Sequence, residues 1–117
     1  MANYIVNNKN ILKDRHYLLL ANQAGHWFNI SPNRLNEYKE RYIDDFCIIL
    51  YRSGSHDDAY VMPFKAIKRL FSERSLMIAS GGSSRWVGSI RNDQLNIRRE
   101  DSTVLVSQYY NAFELLK

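Results

Sequence analysis

The stretch that most constrains this chain is residues 46–52, which read FCIILYR. Its β-branched and aromatic residues favour a strand, and its consecutive apolar positions would bury both faces of that strand. The polar segment 53–58 and the apolar segment 59–62 that follow are typical of a hairpin. We therefore expect a strand at residues 46–52 that lies at the centre of a sheet.

Apolar residues recur at helical spacing near the N-terminus. They are Ile11, Leu12, Leu18 and Leu19. With Gly25 after them, they predict a helix over residues 7–23. A competing interpretation makes residues 17–20 a short buried strand, since periodicity does not decide so short an apolar run.

A strand and a second helix are expected next. Residues 26–30 predict a brief strand, and Ser31 followed by Pro32 is a good helix N-terminus. This helix should run to about residue 43, with Leu35 on its apolar face.

The second half of the chain predicts a short helix and a hairpin. Pro63 is expected to open the helix. The residues expected to face the core are Phe64, Ile67, Leu70 and Phe71. The residues expected on the outside are Lys65, Lys68, Arg69 and Ser72. After a flexible loop at residues 80–84, segments 85–90 and 95–98 read as a hairpin around residues 91–94.

Residues 103–106 predict a last strand, and residues 109–116 a terminal helical turn. This order of helices and strands lacks a regular βαβ repeat, which favours an α+β fold. We expect a single domain over residues 1–117, with a mainly antiparallel twisted sheet or open barrel and flanking helices. The patterned apolar end at residues 113–117 indicates a domain excised from a longer protein.

Charge is divided unevenly along the chain. Residues 1–60 hold seven Lys/Arg and seven Asp/Glu, whereas residues 63–99 hold eight Lys/Arg against Glu73 and Asp93. The eight cations are Lys65, Lys68, Arg69, Arg74, Arg85, Arg91, Arg98 and Arg99. Nucleic acid is the natural partner of so basic a segment, although a solvated basic face would have the same composition.

Catalytic and metal-binding patterns are scarce. The glycine pair at residues 81–82 lacks the spacing of a P-loop, and one Cys with three His does not supply a Cys/His zinc cluster. Residues 56–58 (His-Asp-Asp) admit either a hard cation or an ordinary polar turn. Asp44 and Asp45 suit metal-assisted phosphodiester cleavage, but the strand after them has no Glu-x-Lys. We expect a non-enzymatic domain without cofactor or metal.

The expected compartment follows from Cys47 and from the missing targeting signals. Cys47 lies in an apolar run, which predicts a buried thiol in a reducing compartment. The N-terminus lacks a signal-peptide pattern, and no apolar run approaches the roughly 20 residues of a membrane helix. A soluble cytoplasmic protein is therefore expected.

Aromatic and amide side chains offer candidate contacts to bases. Trp86 is either a core residue or an exposed platform that stacks on a base. Trp27 is expected in the core. Asn92 and Gln94 carry the amides that hydrogen-bond to base edges.

Three segments, residues 60–68, 85–90 and 109–113, read YVMPFKAIK, RWVGSI and YYNAF. Their order of strand, basic helix and tryptophan hairpin resembles the DNA-recognition domains attached to bacterial restriction endonucleases. That group has B3-like barrels beside cleavage or McrB-type motor domains. The resemblance implies a non-catalytic domain that reads a short or modified duplex site, methylated sites included. It also implies further domains or subunits of a restriction complex as partners.

The sequence thus predicts a DNA-binding module of a bacterial restriction system. The expected binding residues are Lys65, Lys68, Arg69, Arg85, Trp86, Arg91, Asn92, Gln94, Arg98 and Arg99. Three alternatives remain open. They are RNA or single-stranded DNA stacked on Trp86 and a tyrosine, a protein-interaction module with an apolar patch at Tyr109 and Tyr110, and a small nuclease that uses Asp44 and Asp45.

Overall fold

The predicted strand at residues 46–52 lies in the middle of a sheet. This computed structural model describes residues 9–22, 27–52, 58–78 and 81–116. The first sheet consists of β1 (Tyr17–Leu20), β3 (Cys47–Tyr51) and β4 (Ala59–Pro63), with β3 parallel to β1 and antiparallel to β4. The central position of β3 is confirmed, and turn residues 53–57 lie outside the described residues.

The N-terminal segment combines both interpretations of its sequence. Helix α1 (Lys9–Arg15) occupies the first part of the predicted helix, and β1 occupies residues 17–20. The prediction of one helix through residue 23 is therefore wrong beyond α1, and the strand alternative is correct. Residues 17–20 form a strand because β3 supplies hydrogen-bond partners for the backbone of this short apolar segment. Leu19, for example, lies opposite Leu50 in the parallel ladder.

Strand β2 (Trp27–Ile30) and helix α2 (Pro32–Tyr42) follow as predicted, although residue 26 lies outside the described part of the chain. Ser31 caps the helix, because its Oγ accepts a hydrogen bond from a backbone N–H of the first turn at 3.4 Å. The predicted apolar face of α2 packs inward, with Leu35 buried.

The basic helix is shorter than the sequence suggests. Pro63 is the last residue of β4 rather than the first of a helix. Helix α3 (Phe64–Ile67) is a single α-helical turn that continues as a 3-10 turn (Lys68–Leu70). Its sidedness follows the prediction, with Phe64, Ile67 and Leu70 buried and Lys65, Lys68 and Arg69 exposed.

The second sheet is built around β6 (Ser84–Arg91). This strand pairs antiparallel with β2 on one side and with β7 (Gln94–Ile97) on the other, and β8 (Val104–Leu105) extends the sheet beyond β7. Strand β5 (Met77–Ile78), which the sequence did not predict, pairs with the start of β6. Strands β6 and β7 confirm the hairpin predicted from segments 85–90 and 95–98, and β8 confirms the strand predicted at residues 103–106.

A two-residue turn, Asn92-Asp93, joins β6 to β7. Both residues have positive φ, 53° and 59°, which is the conformation of a tight hairpin turn that Asn and Asp tolerate. The predicted four-residue loop is therefore shorter, and Arg91 pairs with Gln94 at the end of the ladder.

The two sheets share one hydrophobic core. The residues that meet in it include Ile48, Leu50, Tyr60 and Met62 of the first sheet and Phe28, Ile30, Trp86 and Leu95 of the second. The other face of the first sheet is covered by Leu12 of α1 and by Phe113, in a C-terminal 3-10 turn (Phe113–Leu116). The radius of gyration is 13.6 Å, the size of one compact domain of this length. The predicted α+β class, with mainly antiparallel sheets and flanking helices, is confirmed.

His16 joins the end of α1 to β3. Its ring is 7% exposed, and Nδ1 accepts a hydrogen bond from the backbone N–H of Cys47 at 2.9 Å. Burial and the neighbouring charge of Arg15 lower the pKa of His16 from 6.5 to about 4, although Asp45 acts in the opposite direction. The imidazole is therefore neutral in the folded protein at neutral pH.

This shift predicts a loss of stability in mild acid. The unfolded chain binds a proton at His16 as the pH falls through about 6.5, whereas the folded protein resists protonation until about pH 4. The free energy of unfolding should therefore fall by about 2 kcal/mol between about pH 7 and pH 5 in urea titrations. His16→Asn, which keeps an acceptor and loses the titrating ring, should flatten this dependence. An unchanged slope in the variant would contradict the prediction.

Ile43 ends α2 in a strained conformation, with φ 62° and ψ −97°. A β-branched residue rarely adopts positive φ, and this side chain is 77% exposed, so burial does not offset the strain. Ile43→Gly should raise the free energy of unfolding by about 1 kcal/mol, measured by urea unfolding. The control Ile78→Gly, at a strand position exposed to 73%, should lower it. An equal decrease in the free energy of unfolding in both variants would contradict the interpretation that Ile43 is strained.

Candidate nucleic-acid interface

Strand alternation gives the second sheet two faces of different chemistry. Residues directly opposite one another in an antiparallel ladder share a face, so Trp27, Ser89 and Asn96 lie on one side together with the pair Arg91 and Gln94. The other side faces the core. We call the part of the first side around Trp27 the polar sheet face, and we define it by Trp27, Asn29, Arg91, Gln94, Asn96 and Arg98, which are exposed or half-buried. Arg85 and the exposed Leu105, which is opposite Gln94, lie on the same side of the sheet.

Trp27 lies between two guanidinium groups on the polar sheet face. The centroid of its ring is 5.2 Å from Cζ of Arg98 and 5.6 Å from Cζ of Arg91. Arg91 follows Ser89 by two residues on β6, whereas the backbone N–H of Arg98 donates to the carbonyl of Val87, two residues before Ser89. The two cations therefore approach the indole from opposite directions along the strand, and cation–π attraction restrains both.

Neither Arg91 nor Arg98 has an acidic partner among the described residues. The carboxylate closest in sequence to Arg91 belongs to Asp93, and its Oδ1 accepts a hydrogen bond from the Tyr60 hydroxyl at 2.6 Å. Burial and this carboxylate raise the pKa of Tyr60, so the hydroxyl keeps its proton and remains the donor. The carboxylate closest in sequence to Arg98 belongs to Glu100, and it pairs with Arg74 at 3.1 Å. The positive charge of the polar sheet face is therefore not neutralised within the described part of the chain.

The predicted cations of α3 and its 3-10 extension form a separate group. Lys68 Nζ lies 3.1 Å from Asp44 Oδ2, and this contact lowers the pKa of the Asp44 carboxyl. Arg69 donates to the carbonyl of Thr103 at 3.3 Å, and Lys65 lines a cleft beside Asp44. Phosphate contacts by Lys68 and Arg69 would have to compete with these intramolecular partners.

The other predicted residues surround the polar sheet face. Arg85 lies on the same side of β6, near the end that pairs with β5. Asn92 is exposed in the hairpin turn, and Arg99 is exposed in the turn after β7 with φ 73°. Gln94 accepts a hydrogen bond from the Thr103 hydroxyl at 2.7 Å through its Oε1, which positions its amide at the edge of this face.

Trp86 is a core residue, and this corrects its predicted role as a stacking platform. Its side chain is 9% exposed, and its indole N–H donates to the carbonyl of Ser72 at 2.9 Å. The ring meets Phe71 edge-on, at 5.6 Å between centroids, and lies opposite Ile30 on the core side of the sheet. No base can stack on a ring buried in this way.

Trp27 was expected in the core, but it is half-buried on the polar sheet face. Along β2 the burial alternates, with Phe28 and Ile30 buried and Asn29 exposed. A period of two puts Trp27 on the side of Asn29, so the order Trp-Phe-Asn-Ile contained the signal. The general tendency of tryptophan to be buried outweighed it.

Asp44 and Asp45 line a second candidate site, a cleft of about 500 Å³ that His16 and Cys47 also border. The side chain of Asp45 is 87% exposed, with Oδ2 3.3 Å from Arg15. Burial raises the pKa of Cys47 to about 11, so this thiol is a poor nucleophile at neutral pH. Within the described ranges no cluster of three His, Cys, Asp or Glu could hold a metal ion.

The other candidate residues near the connection between β3 and β4 either have intramolecular partners or lie outside the described residues. Residues 56–57, considered for a cation, lie outside the described residues. Asp58 accepts a hydrogen bond from the Tyr110 hydroxyl at 2.8 Å and lies 3.4 Å from Arg52. Tyr110 also packs against the ring of Tyr60, at 5.1 Å between centroids, so intramolecular contacts already use part of the predicted apolar patch.

Comparison of the chain with protein-family models, with curated proteins and with solved structures finds no match. In the part of the chain that the structure describes, no helix has the length and apolar character required to cross a membrane. The resemblance to restriction DNA-recognition domains stays a prediction. The functional interpretation therefore depends on the geometry and charge of the polar sheet face.

Proposed function

We propose that this protein is a non-catalytic nucleic-acid-binding module that uses the polar sheet face. The observation that supports the proposal is the pair Arg91 and Arg98, which lies beside Trp27 without acidic partners among the described residues. Two unneutralised guanidinium groups next to an aromatic ring match the phosphates and bases of a nucleic acid.

The chemistry of the face favours binding over mere solubility. A guanidinium presents five N–H donors in a planar fork that fits phosphate oxygens, and its contact with the indole reduces the rotamer freedom lost on binding. Asn29 and Asn96 place amides beside these cations, where they can hydrogen-bond to base edges. A surface kept for solubility mixes charges of both signs, whereas the defined members of the polar sheet face include no carboxylate.

The narrower role is recognition of a short or modified duplex DNA site within a bacterial restriction system, and it follows from the sequence resemblance alone. In that role the chain would be the target-reading part of a larger cytoplasmic complex whose cleavage lies in another domain or subunit. The contacts of Asp44 with Lys68 and of Asp45 with Arg15 support the non-catalytic part of the proposal. They engage the carboxylates that a nuclease would use for a metal.

Arg91→Gln combined with Arg98→Gln should weaken nucleic-acid binding and reduce its dependence on salt. If each guanidinium neutralises one phosphate, the slope of log affinity against log salt concentration should fall in magnitude by about 1.5. Fluorescence anisotropy with labelled duplex and single-stranded probes of random sequence, at about 50 and 200 mM salt, measures both effects.

The matched control is Lys39→Gln combined with Arg41→Gln, which removes the same charge from α2, outside the polar sheet face. We expect only a small loss of affinity in the control, from long-range electrostatics. Equal losses in the two double variants would show that overall charge drives binding. No binding of any probe at low salt would overturn the proposed function.

A further inference from the structure

We infer that the polar sheet face binds unpaired nucleotides, with a base stacked on Trp27 and the adjoining phosphates held by Arg91 and Arg98. The inference rests on the nucleic-acid-binding part of the proposed function, and it specifies the ligand as single-stranded nucleic acid in place of the duplex site that the sequence resemblance implies. The juxtaposition behind it is a half-buried indole between two unneutralised guanidinium groups, 5.2 and 5.6 Å from the ring centroid.

The position of Trp27 suits stacking on an unpaired base. Bases in a duplex offer a protein only their edges, because neighbouring base pairs cover their faces. An unpaired base exposes its faces, and stacking on an aromatic side chain stabilises binding whatever the base. Trp27 lies on the side of the second sheet away from the core, with the small side chain of Ser89 opposite it. Part of the indole is therefore open to a ligand.

The β6–β7 hairpin and the basic helix α3, the two elements that the sequence offers for a major groove, are both held against the rest of the fold. The tip of the β6–β7 hairpin is tied back, because the carboxylate of Asp93 accepts from Tyr60 at 2.6 Å and its carbonyl accepts from the N–H of Val106 at 2.7 Å. Helix α3 is one turn long, and Lys68 in its 3-10 extension is paired with Asp44. Groove readout requires a projecting helix or ribbon, so the polar sheet face fits a single strand better.

Binding would exchange one cation–π contact for two interactions with the nucleotide. A base that lies against the indole of Trp27 takes the place of one guanidinium. The displaced side chain, Arg91 or Arg98, then remains near the phosphate of the same nucleotide and forms a charge-assisted hydrogen bond with it. Asn29, exposed two residues further along β2, provides an amide for the edge of the stacked base.

The test uses three fluorescein-labelled probes of equal length, oligo-dT, oligo-U and a DNA duplex, each about 12 nucleotides long. The wild-type protein should bind at least one single strand about tenfold more tightly than the duplex. Trp27→Ala should lower single-strand affinity about tenfold, from the loss of one stacked base, and leave the salt dependence nearly unchanged. Trp27→Tyr keeps a stacking ring and should retain most of the affinity.

A second readout uses the unmodified protein, so it does not depend on the folding of a variant. Binding of an unlabelled single strand should quench the fluorescence of Trp27 and protect it from acrylamide. Trp86 is 9% exposed and hydrogen-bonded in the core, so its contribution should stay constant. The same titration of Trp27→Tyr should show almost no quenching.

The outcomes separate this inference from the proposed function. Tighter binding of oligo-U or of oligo-dT than of the duplex supports the inference. Duplex binding as tight as single-strand binding, or unchanged single-strand affinity in Trp27→Ala, would overturn the inference and leave the proposed function in place. Binding of none of the three probes at low salt would overturn both.

Discussion

Burial of β3 on both faces is the constraint on which the rest of the structure depends. The run Cys-Ile-Ile-Leu-Tyr has no polar side that could face water, so each face of the first sheet needs a cover. The shared core covers one face, and α1 with the C-terminal 3-10 turn covers the other. The second sheet serves as the cover on the core side, and exposed or half-buried polar side chains lie on its opposite face. The polar sheet face lies on that side.

The hydrogen bond between Tyr60 and Asp93 links this core to the chemistry of the surface. Tyr60 belongs to β4, next to the central strand, and its hydroxyl engages the carboxylate at the tip of the β6–β7 hairpin. The contact holds the hairpin against the first sheet and engages the carboxylate that lies closest in sequence to Arg91. Acidic partners neutralise Lys68 and Arg74. Arg91 and Arg98 instead contact the ring of Trp27.

Elements specified by short-range chemistry were predictable. The cap of α2 depends on Ser31 and Pro32, which adjoin it, and the β6–β7 hairpin depends on a turn between neighbouring strands. Predictions failed where the partner lies far along the chain. Residues 17–20 form a strand because β3, some thirty residues later, pairs with them. The sequence left Trp86 open between the core and a stacking platform, because the contacts with Ser72 and the first sheet that bury it have no local signature.

The amino-acid order was sufficient for the α+β class, the central strand and the basic second half, because these follow from composition and from periodicity within a few residues. Long-range packing determined that Trp27 rather than Trp86 is partly exposed, and that Arg91 and Arg98 rather than Lys68 keep their charge unneutralised. Exposure and charge neutralisation are properties of side chains that meet across the fold. They depend on which strands pair and which faces are covered. The alternation along β2 indicates that Trp27 and Asn29 share a face, but the pairing of the strands decides that this face is the one left exposed.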